Sequence, residues 1–324
     1  MIKTILVTGS SGTVGTALTL ELNRRKYHVI PLDIKPSLWD KGIDRRTVRC
    51  DLRKPLGNKL RGRKPDLIIH LAANARVHDS VVNPKLGFDN YVMMYNVLEY
   101  ARQAGVERVL FSSSREIYGE SPGGRRRRED TTDVTQMKSP YTASKFGSEA
   151  MIGAYRQCYG IKTVIARLSN VYGRFDVSER VIPLFMYYAM RNRDMAVFGK
   201  EKKLDFTFID ECVDGLVRIV ERFDRVAGLT FNIATGRGER LVDLAAMIVR
   251  NMQAESKIKT GVKRTGEISS FIGDITLARN KLGYRPKVTL ETGLVRNIEW
   301  YVKAMKERRV YETQRRNLAK RGWA

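Results

Sequence analysis

Short, almost wholly apolar runs alternate with amphipathic stretches along the first half of the chain. Residues 2–8, 28–33, 47–51, 66–71 and 107–112 are rich in Val, Ile and Leu, and 162–168 and 229–233 extend the set. Between them, 13–25, 85–103 and 141–159 repeat apolar positions at helical intervals, the spacing of a helix with one buried face. Near-continuous apolar strands need cover on both faces, so this alternation predicts an α/β fold built on a doubly wound parallel sheet. Beyond residue 171 the order loosens. Residues 181–192, 210–223, 241–252 and 290–306 carry helical spacing, with turns at Gly199, Gly236 and Gly266. The expected organisation is a main domain of residues 1–170 plus 204–235 and a smaller mixed α/β lobe of 171–203 plus 236–324.

Composition narrows the class without naming a function. The 324 residues are 43% hydrophobic and 29% charged, enough to bury a real core. No stretch approaches the ~18 apolar residues of a membrane span. The first glycine comes too early for a secretory h-region, and Cys50, Cys158 and Cys212 share no disulfide or metal spacing. The expectation is a reduced, cytoplasmic protein. The charge changes the picture most: 59 Lys and Arg against 35 Asp and Glu, a formal +24. Such a balance fits an anionic partner, whether nucleic acid, an acidic surface or a phosphorylated substrate. Residues 122–128 (PGGRRRR), expected as a mobile loop, and the tail from Lys303, with eight basic residues against two acidic ones, are expected as solvated surface.

Candidate chemistry begins at TGSSGTVG, residues 8–15. It follows the first strand and opens the first helix, where glycines permit a tight turn and close approach of helix N-terminal amides to a diphosphate. Gly9, Ser11, Gly12, Thr13, Val14 and Gly15 are the candidate contacts. Asp33 ends the next strand, and a carboxylate there accepts from ribose hydroxyls and repels a 2′-phosphate, favouring NAD over NADP. The GxxGxxG spacing resembles the extended short-chain dehydrogenase/reductases, a Rossmann-like group. That resemblance implies that Asp51 and Leu52 flank the adenine, that Leu71, Ala72 and Ala73 of HLAA pass beneath the cofactor, and that Asn90 sits on the central helix.

Tyr141 and Lys145 of SPYTASK stand four apart at a helix start, so they share one face. A free tyrosine titrates near ~10, and a neighbouring ammonium stabilises its phenolate. FSSSREIYG (residues 111–119) ends a strand upstream, where open α/β sheets place their ligands. A serine there can hydrogen-bond the same substrate hydroxyl. Turn, serine and Tyr/Lys pair together resemble the NAD-dependent nucleotide-sugar epimerase/dehydratase family, and UDP-sugar 4-epimerases above all. The resemblance implies Ser114, Tyr141 and Lys145 as catalytic groups, with Ser112, Tyr141 and Lys145 also touching the cofactor. It places Asn170 of RLSNVYG and Arg264 of RTGE on the sugar diphosphate, and it implies a homodimer formed through helices 85–103 and 141–159.

Departures from that family pattern bear on the substrate. Leu204 replaces a phosphate-binding arginine, leaving Lys202, Lys203 or Arg180 as substitutes. Met93 and Met94 replace the usual Gly-Thr on the central helix. Arg115 and Glu116 follow the catalytic serine where many 4-epimerases carry small residues, and arginine removes the general acid expected of a dehydratase. Arg115, Arg174 and Arg180 border the expected sugar site and could hold a C6 carboxylate. Ranked in order, the readings are C4 epimerisation of UDP-glucose/UDP-galactose, then UDP-glucuronate/UDP-galacturonate, then decarboxylation of UDP-glucuronate. A basic nucleic-acid binder on the same scaffold is the different-class alternative, but no recognition helix, zinc finger or RNA-binding signature supports it. His28, His70 and His78 share no metal-ligand spacing.

Overall fold

The computed structural model describes residues 2–121, 124–262 and 266–323. Seven parallel strands make the main sheet: β1 (Thr4–Thr8), β2 (His28–Asp33), β3 (Val48–Arg49), β4 (Leu67–His70), β5 (Arg108–Ser114), β6 (Lys162–Leu168) and β11 (Thr230–Ile233), in the order β11-β6-β5-β4-β1-β2-β3. Successive β1 side chains point to opposite faces. Ile5 and Val7 enter one core with Leu18, Leu22 and Phe231, while Leu6 enters the other with Ile68, Val97 and Ile152. All three β1 residues are fully buried, as the doubly covered sheet requires.

The helices are α1 (Thr13–Arg24), α2 (Lys41–Arg46), α3 (Val77–Val82), α4 (Lys85–Ala104), α5 (Pro140–Tyr159), α6 (Val181–Ala189), α7 (Ile209–Glu221), α8 (Phe223–Val226), α9 (Leu241–Asn251), α10 (Thr276–Leu282), α11 (Leu290–Met305) and α12 (Arg308–Ala319). Three small sheets lie outside the main one: β7 (Asn170–Tyr172) with β10 (Phe206–Phe208), β8 (Met195–Phe198) with β13 (Ile258–Gly261), and β9 (Lys203–Leu204) between β12 (Glu239–Arg240) and β14 (Ser270–Phe271). Of residues 204–235, expected with the main sheet, β11 joins it and α7 ties to α1 through an Arg25–Glu221 ion pair of 2.5 Å. The β9 and β10 segments instead pair within the small sheets.

Two surface expectations are corrected. The basic tail forms α12, whose Val310, Gln314 and Leu318, spaced four apart, are buried. Gln314 accepts from the Tyr301 hydroxyl at 2.5 Å and donates to the Pro183 carbonyl at 3.1 Å, so a polar residue sits satisfied on the inward face. In the arginine run, Pro122 and Gly123 lie outside the described residues. Arg127 is built into the fold: its amide donates to the Ile272 carbonyl at 2.8 Å and its guanidinium to the Tyr118 carbonyl at 2.7 Å. Arg125, Arg126 and Arg128 are exposed.

No described helix is long and apolar enough to cross a membrane.

Candidate active site

A cavity of about 1490 Å³ opens beyond the carboxyl ends of β1, β4 and β5 and reaches into the lobe, where an open α/β sheet holds its ligands. The turn between β1 and α1 forms one end. Gly9 has φ +72°, and a Cβ on Gly15 would lie 2.0 Å from the Gly9 carbonyl oxygen. Only glycine at these two positions lets the turn fold this tightly, and backbone amides at the start of α1 then face the cavity. Asp33 closes the same end: its carboxylate accepts from the Ser11 amide at 2.9 Å and the Lys35 amide at 2.8 Å. Ser11, Gly12, Thr13, Val14, Asp51, Leu52, Leu71, Ala72, Ala73 and Ser112 all line the cavity. A glycine cradle beside a fixed carboxylate fits the diphosphate and ribose of a dinucleotide.

Asn90 lies on α4, as the resemblance implies, but does not line the cavity with the other candidate cofactor contacts. It is buried. Its side chain accepts from the Asn74 amide at 2.7 Å and donates to the Ser144 hydroxyl at 3.3 Å. Asn90 therefore positions the loop after β4 against α5. His70 is also structural, with its ring nitrogen 2.8 Å from the Thr8 hydroxyl and its pKa pushed down to about 3 by burial.

The catalytic trio converges from two elements. Ser139 caps α5, its hydroxyl accepting from the Thr142 amide at 3.1 Å, and Pro140 occupies the first turn. This start, reinforced by the Tyr141 amide donating to the Ser80 hydroxyl at 3.1 Å, sets Tyr141 and then Lys145 on the inward face. Ser114 ends β5 and caps the turn that follows, its hydroxyl accepting from the Glu116 amide at 3.2 Å. Burial raises the Tyr141 phenol above its ordinary range; the nearby Ser114 hydroxyl lowers it, Glu116 raises it, and Arg180 and Arg115 lower it. Lys145 donates to the Ser112 carbonyl at 2.8 Å and lies 4.6 Å from the Phe111 ring centroid. Burial pushes its ammonium down to about 7, with Glu149 opposing.

The sugar-side residues divide. Arg115 is nearly buried; it donates to Asn170 at 3.1 Å and pairs with Glu116 at 2.7 Å. Asn170 in turn donates to the Asp205 carbonyl at 2.9 Å. Arg174 is a correction: it pairs with Asp210 at 2.7 Å, half exposed, and does not line the cavity. Arg264 lies outside the described residues. Lys202 is tied to Glu267 at 2.6 Å, and Lys203 lies off the cavity beside Glu120 and Ser269. Arg180 lines the cavity and, among the described residues, has no ion-pair partner. The arginine run 125–128 does not reach the cavity.

Several lining residues were not anticipated. Trp39, Arg76 and Phe175 border the cavity, as does one whole face of α12. Arg76 pairs with Glu179 at 2.8 Å. The α12 face was signalled by the four-residue spacing of Val310, Gln314 and Leu318.

The model of the NAD dependent epimerase/dehydratase family matches residues 5–234. A putative UDP-glucose 4-epimerase of Methanocaldococcus jannaschii is 29% identical, over 91% of this chain and 97% of the relative. A dTDP-glucose 4,6-dehydratase of Escherichia coli is 27% identical, over 92% of this chain and 93% of the relative. The crystal structure of Thermotoga maritima UDP-glucose 4-epimerase with UDP-glucose superposes with a TM-score of 0.85 at 27% identity, covering 93% of this chain and 99% of that one.

Proposed function

The chain belongs to the NAD dependent epimerase/dehydratase family, and from that premise we propose that it interconverts the C4 epimers of a UDP-hexose, UDP-glucose and UDP-galactose. One observation carries the reading: Ser114, Tyr141 and Lys145 line the cavity that also holds the glycine turn, with Ser114 near enough to Tyr141 to lower its phenol and Lys145 one turn along α5. Bound NAD supplies a reversible hydride acceptor at C4. The turn of residues 9–15 would hold its diphosphate and Asp33 its ribose.

Tyr141, as phenolate, takes the proton of the 4-hydroxyl, and the Ser114 hydroxyl holds that oxygen in line. Burial opposes the phenolate, so Lys145 and Arg180 supply the compensating positive charge. The Ser112 carbonyl, accepting at 2.8 Å, holds the Lys145 ammonium in place. With NAD bound, the sugar would pass through its 4-ketone and would have to turn over for hydride to return to its other face. A roomy cavity tolerates that rotation, and Tyr141 returns the proton to the oxygen it left.

Arg115 and Glu116 support a neutral sugar. The guanidinium charge is paired with Glu116 at 2.7 Å while its Nη1 is buried without a partner among the described residues, so a C6 carboxylate would find one open donor but would have to compete with an existing buried pair for the charge. Dehydration needs an acid to protonate the departing 6-hydroxyl, and a guanidinium does not release a proton at neutral pH. Both facts favour epimerisation of UDP-glucose/UDP-galactose over the uronate and dehydratase readings. A homodimer is proposed through α4 and α5, whose outer surface exposes Phe88, Tyr91 and Tyr95. The test is to supply UDP-galactose with no added nicotinamide and follow UDP-glucose by a coupled dehydrogenase. Equilibration of the two sugars is expected; unchanged UDP-galactose would refute the reading.

A further inference from the structure

We propose that α12 is part of the substrate site, and that Arg316 and Lys320 on its inner face, together with Arg180, bind the diphosphate of the sugar nucleotide. The inference rests on the nucleotide-sugar reading above and names the groups that hold the substrate's anionic part.

The helix is amphipathic with respect to the cavity. Val310, Gln314 and Leu318 are buried on one side, while Arg309, Thr313, Arg316, Asn317 and Lys320 line the cavity on the other. Its position is secured at both ends. Near the start, Arg309 donates to the Ser37 carbonyl at 3.2 Å, beyond the end of β2. Near the finish, Arg321 pairs with Asp79 and, at 3.5 Å, with Glu179, and the Trp323 carbonyl accepts from Arg193 at 3.3 Å. In the middle, Tyr311 accepts from Arg191 at 2.8 Å. The anchoring cations are thus engaged, and the helix bridges the main domain and the lobe.

Arg316 and Lys320 are different. Among the described residues neither has an ion-pair partner, although both line the cavity. They stand four apart on one helix face, where like charges repel. An anion between them would turn that repulsion into paired charge-assisted hydrogen bonds.

Two diphosphates enter such a site, the cofactor's and the substrate's. The glycine turn at the start of α1 already provides for the first. Arg316 and Lys320 belong to the end of α12 away from Ser37, where Arg321 pairs with Asp79 of α3 and with Glu179, the neighbour of Arg180. There Leu204 stands in place of an arginine, and Lys202 is engaged by Glu267. The substrate's diphosphate is therefore the ligand assigned.

The test uses the full-length, NAD-loaded protein and calorimetric titration with UDP, uridine and inorganic pyrophosphate. The double variant Arg316→Ala/Lys320→Ala alters two exposed side chains and leaves the buried face of α12 intact. Expected are a loss of UDP affinity of about tenfold or more, unchanged uridine binding, wild-type NAD content, and recovery in Arg316→Lys/Lys320→Arg. The wild-type advantage should shrink as salt is raised. Wild-type UDP affinity in the alanine variant overturns the proposal, as does loss of NAD with UDP binding retained, which assigns the face to the cofactor. Binding of pyrophosphate but not UDP by the wild type, abolished in the variant, sustains the anion site and overturns the UDP-sugar reading. Binding of neither overturns both.

Discussion

Tyr141 sits in surroundings that oppose its ionisation. Its hydroxyl is buried, and the protein's own groups leave it above the ordinary tyrosine range. The phenolate therefore needs added positive charge, which Lys145 and Arg180 would supply together with a bound oxidised nicotinamide. Replacing Tyr141 by Phe keeps the ring in its packing and removes the proton acceptor. Turnover should fall by roughly 10³-fold with NAD still retained after gel filtration, and epimerisation near the wild-type rate would remove Tyr141 from its role. Lys145 makes a second prediction. Its folded pKa of about 7 lies below the ordinary 10.5 because burial penalises the ammonium. Between those values the unfolded chain binds the extra proton, so stability rises with pH, by at most roughly 1.4 kcal/mol per unit. In urea denaturation of nucleotide-stripped protein, wild type should gain on Lys145→Met between about pH 7.5 and about pH 9. A constant difference would contradict the buried ammonium. Ser114, Tyr141 and Lys145 were legible because their roles follow from local spacing at a strand end and a helix start. Asn90 and Arg174 were not, because what they do is decided by Asn74, Ser144 and Asp210, distant partners that spacing does not reveal.

Among the elements, the long ones declared themselves and the short ones did not. The first helix, α4 and α5 begin within a residue of their expected positions because their apolar periodicity runs over twelve to twenty residues, and α5 adds the Ser139 cap. The lobe strands run two to four residues, too short for an alternation to register, and β3 shrinks to two residues at the sheet edge. The tail was misjudged because Gln314 interrupts the apolar stripe of α12 and arginines dominate its composition; only the Tyr301 and Pro183 partners make that position an inward one. The turn into α1 was readable from glycines alone, and the contact explaining Gly15 carries a prediction. A methyl group there would meet the Gly9 carbonyl at 2.0 Å, so Gly15→Ala must open the turn. The purified variant should carry little NAD by absorbance after acid release, whereas a full complement would show that the turn does not hold the cofactor.

For the molecule as a whole, two cores on either side of the sheet fix the cavity at the strand ends. The central helices close over one core so tightly that a Cβ on Gly87 would lie 2.6 Å from the Pro140 carbonyl, and the Tyr155 hydroxyl donates to Glu99 at 2.7 Å. Their outer surface leaves Phe88, Tyr91 and Tyr95 65%, 40% and 48% exposed, an aromatic strip at helical spacing. Light scattering should give twice the 37.0 kDa of one chain, and Phe88→Asp/Tyr95→Asp should give a monomer; a monomeric wild type would contradict the proposed pairing. Of the +24 charge, Arg316 and Lys320 of α12 are two exposed cations that line the cavity.

The identity of the sugar is where residue, element and molecule meet, since it depends on Arg115 being held by Glu116 at the end of β5 inside that cavity. Separate incubations with UDP-glucose and UDP-glucuronate, resolved by NMR, test it most directly. The proposed chemistry predicts UDP-galactose from UDP-glucose, with the C4 proton inverted and the hexose otherwise intact. Conversion of UDP-glucuronate alone, or the appearance of a pentose, would contradict it.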